Sequence, residues 1–485
     1  MTHDHDTCYA ALASRDARFD GVFFTGVTST GIYCRPVCPA NTPRRENVRF
    51  FACATAAEAA GFRPCLRCRP ETGPGTPAWL GSSVSVSRAL RFINEGYLDQ
   101  NSVTDLAQRL GLGPRHLTRL FREHLGATPV AIAQTRRAHF ARNLLEQSAL
   151  PMVQVALAAG FGSVRRFNTV MRTVFSASPT ELRARVRKGA SRQGVFKFRI
   201  PYRPPYDWAA LLGFLEGRAI PGVEVVEGLE YSRTITWRGQ PGILRVTQAP
   251  QGHALELQVN LPEPDGLIDL VGKVRRMFDC GADPLAVANH LGRDPVLAPL
   301  VARRPGLRLP SAWDPFEMTV RAILGQQVSV KGATTMAGRL VTRCGDPLGE
   351  LCQPGLTHLF PEPRKLAAAD LQGIGLTGTR VVTIQHLAQA LLSGDLVFQA
   401  SEGVDDFAAR LALLPGIGPW TAHYVAMRAL GEPDAFPASD LGLRQAWEKL
   451  DPNLPSTPRA MTARAAAWRP WRSYAALHLW QSLLK

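Results

Sequence analysis

The sequence of 485 residues lacks the features that mark several classes of protein. It has no run of about 18 or more apolar residues, which excludes a helix that crosses a membrane. Its first ten residues show neither the basic nor the apolar stretch of a secretory signal peptide. No repeat of about 20–50 residues runs along the chain in the manner of a solenoid, although residues 100–185 contain a looser duplication. With 45% hydrophobic residues the chain can instead build several separate cores, and its length predicts about three to five domains.

Cysteine is scarce, because the chain contains only nine of these residues. A small and odd number of cysteines in so long a chain excludes a scaffold held together by disulfides. We therefore expect a reducing compartment, the bacterial cytoplasm. Four of the nine cysteines nevertheless lie close together near the N-terminus, in two short motifs.

Acidic residues are outnumbered in one part of the chain. The whole sequence carries 56 Lys+Arg against 40 Asp+Glu, a net charge of +16. Residues 81–192 hold 17 basic and 6 acidic side chains, so +11 of this excess lies in less than a quarter of the chain. An arginine-rich genome is the alternative, since 49 of the 56 basic residues are Arg, but a general bias does not explain the local concentration. A compact basic segment predicts binding to duplex DNA and association with the nucleoid.

Two linkers divide the sequence. Residues 70–81 are rich in proline and glycine, and residues 188–194 are polar without an apolar period. Four alternating segments between 196 and 261 predict strands, whereas helical periods dominate from about 266 onward. The predicted fold class is therefore multidomain and mainly α, with a small α/β domain, an all-α domain, a β-rich α+β domain and an all-α region. The expected boundaries are 1–75, 82–188, 195–305 and 306–485.

Two cysteine pairs form the first chemical motif. Cys34 and Cys38 stand in a CxxxC arrangement, and Cys65 and Cys68 stand in a CxxC arrangement, with 26 residues between the two pairs. Two tight turns that each present two thiolates suit tetrahedral zinc, so we predict one Zn²⁺ ion held by all four. A purely structural site is the other interpretation, because zinc can stabilise a domain whose core is too small to fold alone.

The residues around these cysteines read STGIYCRPVCPANTPRRENVRFFA and, further on, AAGFRPCLRC. Over most of residues 8–72 the segment resembles the N-terminal domain of the Ada family of alkylation-response proteins. The resemblance implies that the zinc-bound thiolate of Cys34 accepts a methyl group from a DNA methylphosphotriester. Methylation would remove one negative charge, weaken repulsion from DNA phosphates and raise DNA affinity, so the site would act as a damage sensor.

Residues 102–129 and 151–179 share one design. Each has an alanine four positions before a glycine: Ala107 and Gly111, then Ala156 and Gly160. The small residue lets two helices cross closely, and the glycine supplies a left-handed turn between them. Two such segments in succession predict a pair of helix-turn-helix motifs.

This pair resembles the AraC-type DNA-binding domain, over about residues 84–187. The resemblance implies two reading helices that begin near Pro114 and Ser163 and contact DNA. The side chains expected to face DNA are Arg115, His116, Arg119, Arg165, Arg166 and Asn168. The side chains expected to pack the core are Leu117, Leu120, Phe121, Phe167 and Val170.

Residues 405–430 predict a helix, the turn Leu-Pro-Gly-Ile-Gly and a second helix. Gly416 and Gly418 permit a tight hairpin whose backbone N–H groups can bind a DNA phosphate without recognising a base. Asp440 follows in a proline-containing loop, and together with the hairpin it resembles the helix-hairpin-helix glycosylase superfamily. The other interpretation of Asp440 is a simple N-cap for the helix that follows it.

Four further segments extend the likeness to the AlkA family of 3-methyladenine DNA glycosylases, across about residues 195–483. They are residues 204–224, 305–310, 313–330 and 468–480. The resemblance implies that Asp440 stabilises positive charge on the sugar after the damaged base has flipped out. It also implies a base pocket whose rings stack on a cationic base, built from Phe214, Trp420, Tyr424 and Trp480.

Three positions refine that prediction. Bifunctional relatives carry a lysine where this chain has Trp420, so we expect a monofunctional enzyme that leaves an abasic site. The AlkA family has an aromatic residue after the catalytic aspartate, whereas this chain has Leu441. The apolar wedge that fills the gap left by the flipped base corresponds to Gln327, which can still intercalate and contact DNA. The last two changes bear on substrate range and rate rather than on reaction class.

We therefore expect an alkylation-damage repair protein in which a DNA glycosylase is fused to a zinc–thiolate sensor and a sequence-specific transcription activator. The expected partners are alkylated and promoter DNA together with RNA polymerase, with no membrane, and we expect a monomer. One alternative is a regulator whose glycosylase half is inactive; another is a glycosylase whose N-terminal half only raises DNA affinity. The Pro-Cys-His-Arg motif of O6-methylguanine transfer is missing, so that repair activity is not expected.

Overall fold

A computed structural model of the chain describes residues 4–74, 84–94, 96–148, 150–184, 194–398, 403–451 and 455–483. The two expected linkers lie largely outside the described residues. Contacts divide the chain into two compact units. The first comprises Met1–Pro204, Ala249–Arg275 and Cys280–Asp283, and the second comprises Pro205–Gln248, Arg276–Asp279 and Pro284–Lys485. Residues 195–305, expected to form one domain, contribute to both units, and the domain boundaries stay a prediction.

A small α/β domain opens the first unit. Its elements are α1 (His5–Ala13), β1 (Phe24–Val27), β2 (Ile32–Cys34), β3 (Val48–Phe51), α2 (Ala54–Ala59) and β4 (Arg63–Pro64). The strands form one sheet in the order β3-β1-β2-β4, in which β2 and β4 run parallel and the other pairs antiparallel. Tyr33 lies opposite Pro64 in the register of β2 and β4, which brings the two cysteine motifs to the same end of the sheet.

Among the described residues of the same unit, eight helices follow. They are α3 (Val84–Asn94), α4 (Tyr97–Gln100), α5 (Val103–Arg109), α6 (Pro114–Leu125), α7 (Pro129–Gln147), α8 (Met152–Ala158), α9 (Val164–Phe175) and α10 (Pro179–Ala184). The two predicted helix-turn-helix motifs are α5 with α6 and α8 with α9. Gly111 and Gly160 have φ angles of +68° and +78°, so both supply the left-handed turn that the sequence predicts. Of the five predicted core residues, four are buried and Leu120 is half-buried.

From residue 195 onward strands come first and helices then dominate. In chain order the elements are β5 (Val195–Pro201), α11 (Trp208–Glu216), β6 (Glu224–Glu227), β7 (Glu230–Trp237), β8 (Gln240–Gln248), β9 (Ala254–Asn260), α12 (Leu267–Met277), α13 (Pro284–Leu291), α14 (Ala298–Arg303) and α15 (Pro315–Leu324). They continue with α16 (Val330–Cys344), α17 (Pro363–Leu366), α18 (Gly378–Ser393), α19 (Val404–Leu411), α20 (Pro419–Ala429), α21 (Leu441–Leu450), α22 (Pro458–Ala465) and α23 (Arg472–Gln481). Among the described helices, none is both long and apolar enough to span a membrane.

The predicted alternating segments form strands. In the first unit β5 pairs antiparallel with β9, and Phe196, Phe198 and Ile200 of β5 are buried while the residues between them are exposed. In the second unit β6, β7 and β8 form an antiparallel meander. The sequence did not predict β6, because its residues Glu-Val-Val-Glu do not alternate between polar and apolar.

A buried ion-pair cluster ties this meander to α15. Arg233 of β7 lies 2.6 Å from Glu317 of α15 and 3.7 Å from Glu224 of β6. Arg321 of α15 pairs with the same two carboxylates, at 2.7 Å from Glu224 and 3.3 Å from Glu317. Each buried charge therefore has opposite partners, which offsets the cost of removing it from water. The cluster holds the helix that leads directly into the loop containing Gln327.

Candidate metal centre and candidate active site

The four predicted zinc ligands meet in one cluster. The Sγ atoms of Cys34, Cys38, Cys65 and Cys68 all lie within 4.8 Å of one another, and all four residues are buried. Cys34 is the last residue of β2, and Cys65 directly follows β4. The backbone N–H of Cys65 donates to the carbonyl of Tyr33 at 3.0 Å across the parallel pair. The sheet register, rather than chain proximity, therefore joins the two motifs.

Backbone donors surround the sulfur atoms. The N–H of Arg35 donates to Cys68 Sγ and the N–H of Arg67 donates to Cys65 Sγ, each at 3.4 Å. Such donors stabilise negative charge on sulfur, which a thiolate site for a divalent ion requires. Arg35 also pairs with Asp20 and donates to the Cys68 carbonyl at 3.2 Å, so its side chain braces the ligand loop. Four buried thiols with these donors fit zinc, which keeps its ligands deprotonated when bound.

A cavity of about 510 Å³ opens beside this cluster. Cys34, Cys38 and Cys65 line it, whereas Cys68 does not belong to its lining. The walls include Ile32, Pro64, Leu66 and other apolar groups, and Phe175 and Ser176 at the end of α9 complete them. Cys34 therefore borders a space large enough for a methyl group, and so do two of the other three cysteines.

Loss of the metal is expected to unfold the small α/β domain. Its remaining core clusters are small, and structural zinc contributes roughly 10–16 kcal/mol to the folding of zinc-finger peptides. Treatment with a chelator should remove the thermal unfolding transition of this domain from a melting curve recorded by far-UV circular dichroism. Added zinc should restore the transition. The Cys352→Ser variant should respond as the wild type does, because Cys352 is exposed and lies outside the cluster. An unchanged transition after metal removal, verified by elemental analysis, would contradict this prediction.

The arginines expected to contact DNA sit on the two reading helices. Arg115 and Arg119 on α6, and Arg165 and Arg166 on α9, are all exposed. Arg119 Nη2 lies 3.2 Å from Nδ1 of His116, one helical turn away. Exposure leaves these guanidinium groups available to a ligand, while the apolar residues between them are buried.

The helix-hairpin-helix prediction corresponds to α19, a tight turn and α20. Gly416 has a φ angle of +85°, and a Cβ atom there would lie 2.0 Å from Thr383 Oγ1, so both conformation and space require glycine. Gly418 is the exposed N-cap residue of α20 and provides no side-chain cap, and Ile417 between the glycines is buried. The N-terminus of α20 is therefore exposed and has no side-chain cap, as a phosphate site needs.

The loop with Gln327 is attached to this hairpin. Gln327 is exposed and has a φ angle of +55°, an uncommon conformation for a residue other than glycine. Its neighbour Gln326, which the sequence analysis did not single out, donates from Nε2 to the Gly416 carbonyl at 2.9 Å and to Thr421 Oγ1 at 3.1 Å. Arg380 donates in turn to the Gln326 carbonyl. These contacts hold Gln327 outward at a fixed place beside the hairpin.

The Asp440 carboxylate is both an N-cap and part of a cavity wall. Oδ1 accepts from the backbone N–H of Leu443 at 2.9 Å, which is the N-cap interaction of α21. The same oxygen accepts from Trp480 Nε1 at 2.9 Å, and Oδ2 accepts from Trp420 Nε1 at 2.8 Å. The cavity beside it has a volume of about 1260 Å³. The two interpretations of Asp440 are therefore compatible.

All four aromatic residues expected in the base pocket line that cavity. The rings of Trp420 and Tyr424 stack face to face, with centroids 5.3 Å apart and planes 7° from parallel. Trp480 meets Tyr424 edge on, at 6.4 Å and 68°. Leu441 also lines the cavity with its side chain largely exposed, so it stands at the mouth rather than in the core.

Two arginines modify the predicted role of Phe214. The guanidinium carbons of Arg218 and Arg428 lie 3.8 Å and 4.6 Å from the centroid of its ring. Phe214 therefore already packs against two cations. Sequence reasoning missed both arginines, because nothing distinguishes them among the chain's 49 arginines until the fold brings them to the pocket.

The buried end of the pocket carries positive charge. Burial lowers the pKa of Arg428 to about 10, which leaves it protonated at neutral pH. Arg428 Nη1 donates to the Tyr424 hydroxyl at 2.9 Å. Burial alone would raise the pKa of Tyr424, but the nearby charges of Arg428, Arg218 and Arg321 outweigh it and lower that pKa. The pocket thus combines an anionic group, Asp440, with cations at a separate part of its wall.

Comparison with known proteins adds the family. Four family models match successive parts of the chain: the metal binding domain of Ada (residues 7–71), a helix-turn-helix domain (106–185), the AlkA N-terminal domain (197–314) and the HhH-GPD superfamily base excision DNA repair protein (320–473). A relative from Mycobacterium tuberculosis, named "probable bifunctional transcriptional activator/DNA repair enzyme AlkA", is 44% identical over 100% of this chain and 97% of its own length. The chain belongs to this bifunctional AlkA family.

Further relatives match part of the chain. The DNA-3-methyladenine glycosylase 2 of Escherichia coli is 36% identical, over 58% of this chain and 96% of its own length. The solved structure of the 3-methyladenine DNA-glycosylase from Archaeoglobus fulgidus covers 59% of this chain and 99% of its own, with a TM-score of 0.52 and 22% identity, which shows a shared fold. Membership of the bifunctional AlkA family confirms the predicted resemblances, the mainly α multidomain fold class and the four-cysteine zinc site.

Proposed function

We propose that this chain is a DNA repair enzyme that hydrolyses the N-glycosidic bond of alkylated bases such as 3-methyladenine in duplex DNA. One observation carries the proposal: the Asp440 carboxylate, held by three N–H donors, lies in the wall of an aromatic-lined cavity. The same cavity is large enough for a flipped nucleotide, and the hairpin of Gly416 and Gly418 lies in the same unit to hold the strand.

The chemistry requires few groups. An N-alkylated purine is a cation, and it leaves with the electron pair of the C1′–N bond as a neutral base. Asp440 stabilises the positive charge that develops at C1′. The oxygen of a water molecule then forms the new bond to C1′, and the proton released passes to solvent. Rings beside the pocket add attraction for the cationic base, roughly 1–2 kcal/mol when water is excluded.

The proposed enzyme is monofunctional. Trp420 stands where lyase-active relatives carry lysine, and no lysine belongs to the described lining of the cavity. Without an amine that can form a Schiff base with C1′, the product is an abasic site with an intact strand. Incubation with alkylated duplex DNA, followed by chromatography of released bases and gel analysis of the strand, tests both points. Absence of any released methylpurine would refute the enzyme proposal and favour a regulator with an inactive glycosylase half.

A second activity is proposed for the metal centre. The Cys34 thiolate attacks the methyl carbon of a DNA methylphosphotriester. The methyl carbon–oxygen bond breaks, and its electron pair stays on the phosphate, which becomes an ordinary phosphodiester anion. Bound zinc keeps the sulfur deprotonated near neutral pH. The reaction is stoichiometric because the thioether product is stable, and the protein then carries one negative charge fewer near DNA.

Promoter binding by the helix-turn-helix pair and activation through RNA polymerase complete the proposal. The exposed arginines of α6 and α9 and the net charge of +11 in residues 81–192 support DNA binding by this segment. We propose that the chain acts as a monomer in the bacterial cytoplasm, associated with the nucleoid. The intact donor set around Asp440 argues against an inactive glycosylase half, and the intact zinc site argues against an N-terminal half that only raises affinity.

Substitution of a reading-helix arginine should change the salt dependence of promoter binding. Arg119→Ala or Arg166→Ala is expected to lower the slope of log K against log salt by about 1 if the side chain contacts a phosphate. An arginine that reads a base should instead relax sequence preference and cost about 1–3 kcal/mol. Fluorescence anisotropy at several salt concentrations distinguishes the two. Arg364→Ala is a control, because Arg364 is exposed and pairs with Glu362 outside this domain. If Arg119→Ala and Arg166→Ala both bind promoter DNA as Arg364→Ala does, these two arginines do not contact DNA.

A further inference from the structure

Hydrogen bonds fill most of the acceptor capacity of Asp440. A carboxylate offers about four acceptor positions, two on each oxygen. Oδ1 uses both of its positions, for the Leu443 backbone N–H and for Trp480 Nε1. Oδ2 uses one, for Trp420 Nε1. Among the described residues, one acceptor position on Oδ2 is therefore left for a substrate or a water molecule.

The two indole donors come from distant parts of the second unit. Trp420 lies in the first turn of α20, directly after the hairpin, and Trp480 lies near the end of α23. Both are half-buried, so their N–H groups replace water on one side of the carboxylate while its other side lines the cavity. Trp420 also has one ring face stacked on Tyr424, which leaves that face unavailable to a base. The N–H group is thus the part of Trp420 that is directed at the reacting centre.

Gly442 gives independent support for a close fit at this point. A Cβ atom at Gly442 would lie 3.1 Å from Asp440 Oδ1, 3.2 Å from Trp480 Cδ1 and 3.3 Å from Trp480 Nε1. All three distances are shorter than comfortable contacts between such atoms. The backbone of α21 therefore passes directly beside the hydrogen bond between Trp480 and Asp440, at a spacing that a side chain would disturb.

We propose that Trp420 and Trp480 are positioning residues for Asp440, and that Oδ2 is the oxygen that faces C1′ of the flipped nucleotide. The proposal rests on the proposed glycosylase function and goes beyond the stacking role expected for these rings. Two fixed N–H dipoles hold the carboxylate in one orientation before substrate arrives, so no reorganisation is needed when charge develops on the sugar. The remaining Oδ2 position limits the carboxylate to a single contact with the reacting centre.

Conversion of each tryptophan to phenylalanine tests the proposal, because it keeps an aromatic face and removes only the N–H donor and one ring. We expect Trp480→Phe and Trp420→Phe to lower the single-turnover rate of 7-methylguanine release by about 10- to 100-fold each, the size of a lost hydrogen bond to a charged group. Affinity for duplex DNA containing a non-hydrolysable analogue of the 7-methylguanine nucleotide should change less than threefold. Loss of affinity with an unchanged rate would instead assign the rings to base stacking and overturn the proposal.

Trp447→Phe is the matched control. Trp447 belongs to α21 and is buried, and its Nε1 has no hydrogen-bond partner among the residues that the structure describes. Its replacement therefore takes away an indole of equal size without touching Asp440. Its rate should stay within about twofold of wild type when the thermal stability of all variants is comparable. Trp480→Phe and Trp420→Phe rates as high as that of Trp447→Phe would also refute the positioning role.

Gly442→Ala provides a second route that leaves both tryptophans in place. We expect a rate reduction of about tenfold, because the added methyl group presses on the bond from Trp480 to Oδ1. In combination with Trp480→Phe the two losses should not multiply, since both act through the same hydrogen bond. Fully multiplicative losses would contradict the shared mechanism. Failure of the proposed function is distinguishable from all these results, because the wild type itself would then release no base.

Discussion

Asp440→Asn is expected to reduce release of methylated purines from alkylated duplex DNA by about a hundredfold to a thousandfold. The substitution removes the negative charge that we propose stabilises C1′, but it keeps the shape of the side chain. Asparagine caps helices as well as aspartate does, so the N-cap interaction with Leu443 should survive and α21 should stay folded. The amide can still accept one indole N–H, but its NH₂ group opposes the other donor. The measurement is single-turnover base release alongside DNA affinity.

Asp314→Asn supplies the control for the capping interpretation. Asp314 is the N-cap of α15 and accepts from the Glu317 backbone N–H at 2.9 Å, the same interaction that Asp440 makes in α21. It does not belong to the lining of the cavity. We expect Asp314→Asn to keep wild-type release. Equal activity in Asp440→Asn and the wild type would mean that Asp440 serves only as a cap.

Cys34→Ser is expected to abolish methyl acceptance from DNA methylphosphotriesters. A serine hydroxyl at this position is a far weaker nucleophile than a zinc-bound thiolate, so the cavity beside the cluster would lose the thiolate of Cys34. After reaction with methylated DNA, fragmentation mass spectrometry of the wild type should place a single methyl group on Cys34. The variant should carry none, and its promoter affinity should no longer rise on exposure to damaged DNA.

Cys38 and Cys65 line the same cavity, so each of them is an alternative methyl acceptor that the experiment must distinguish from Cys34. Cys38→Ser also removes one zinc ligand, but with zinc restored it should keep methylation on Cys34. A methyl group found on Cys38 or Cys65 in the wild type would reassign the acceptor. Cys352→Ser should react as the wild type does, since that exposed thiol lies outside the cluster.

We expect the proposed base release and methyl acceptance to be separable by substitution. Asp440 and Cys34 belong to different compact units of the chain. We therefore expect Asp440→Asn to keep methyl acceptance and Cys34→Ser to keep base release. This pair of results distinguishes a bifunctional protein from either single-function alternative.

Local patterns made several features accessible from the sequence alone. The CxxxC and CxxC motifs place thiolates by tight turns, so four zinc ligands could be named without a structure. Gly111 and Gly160 have the left-handed turns expected of two helix-turn-helix motifs, because only glycine adopts that conformation readily. The alternating residues of β5 become buried and exposed in turn, since side chains alternate across any strand.

The tertiary structure decided how distant side chains meet, which no local period reports. Trp420 and Trp480 are predicted as stacking rings, yet the fold directs both indole N–H groups at Asp440. Arg218 and Arg428 come together around Phe214 only when α11 and α20 fold into one unit. Residue type and spacing predicted the zinc ligands and the glycine turns, whereas the chemistry expected at Cys34 and Asp440 came from the resemblance to known families. The orientation of the Asp440 carboxylate and the charge of the cavity beside it depend on packing between helices, and packing is a property of the folded chain.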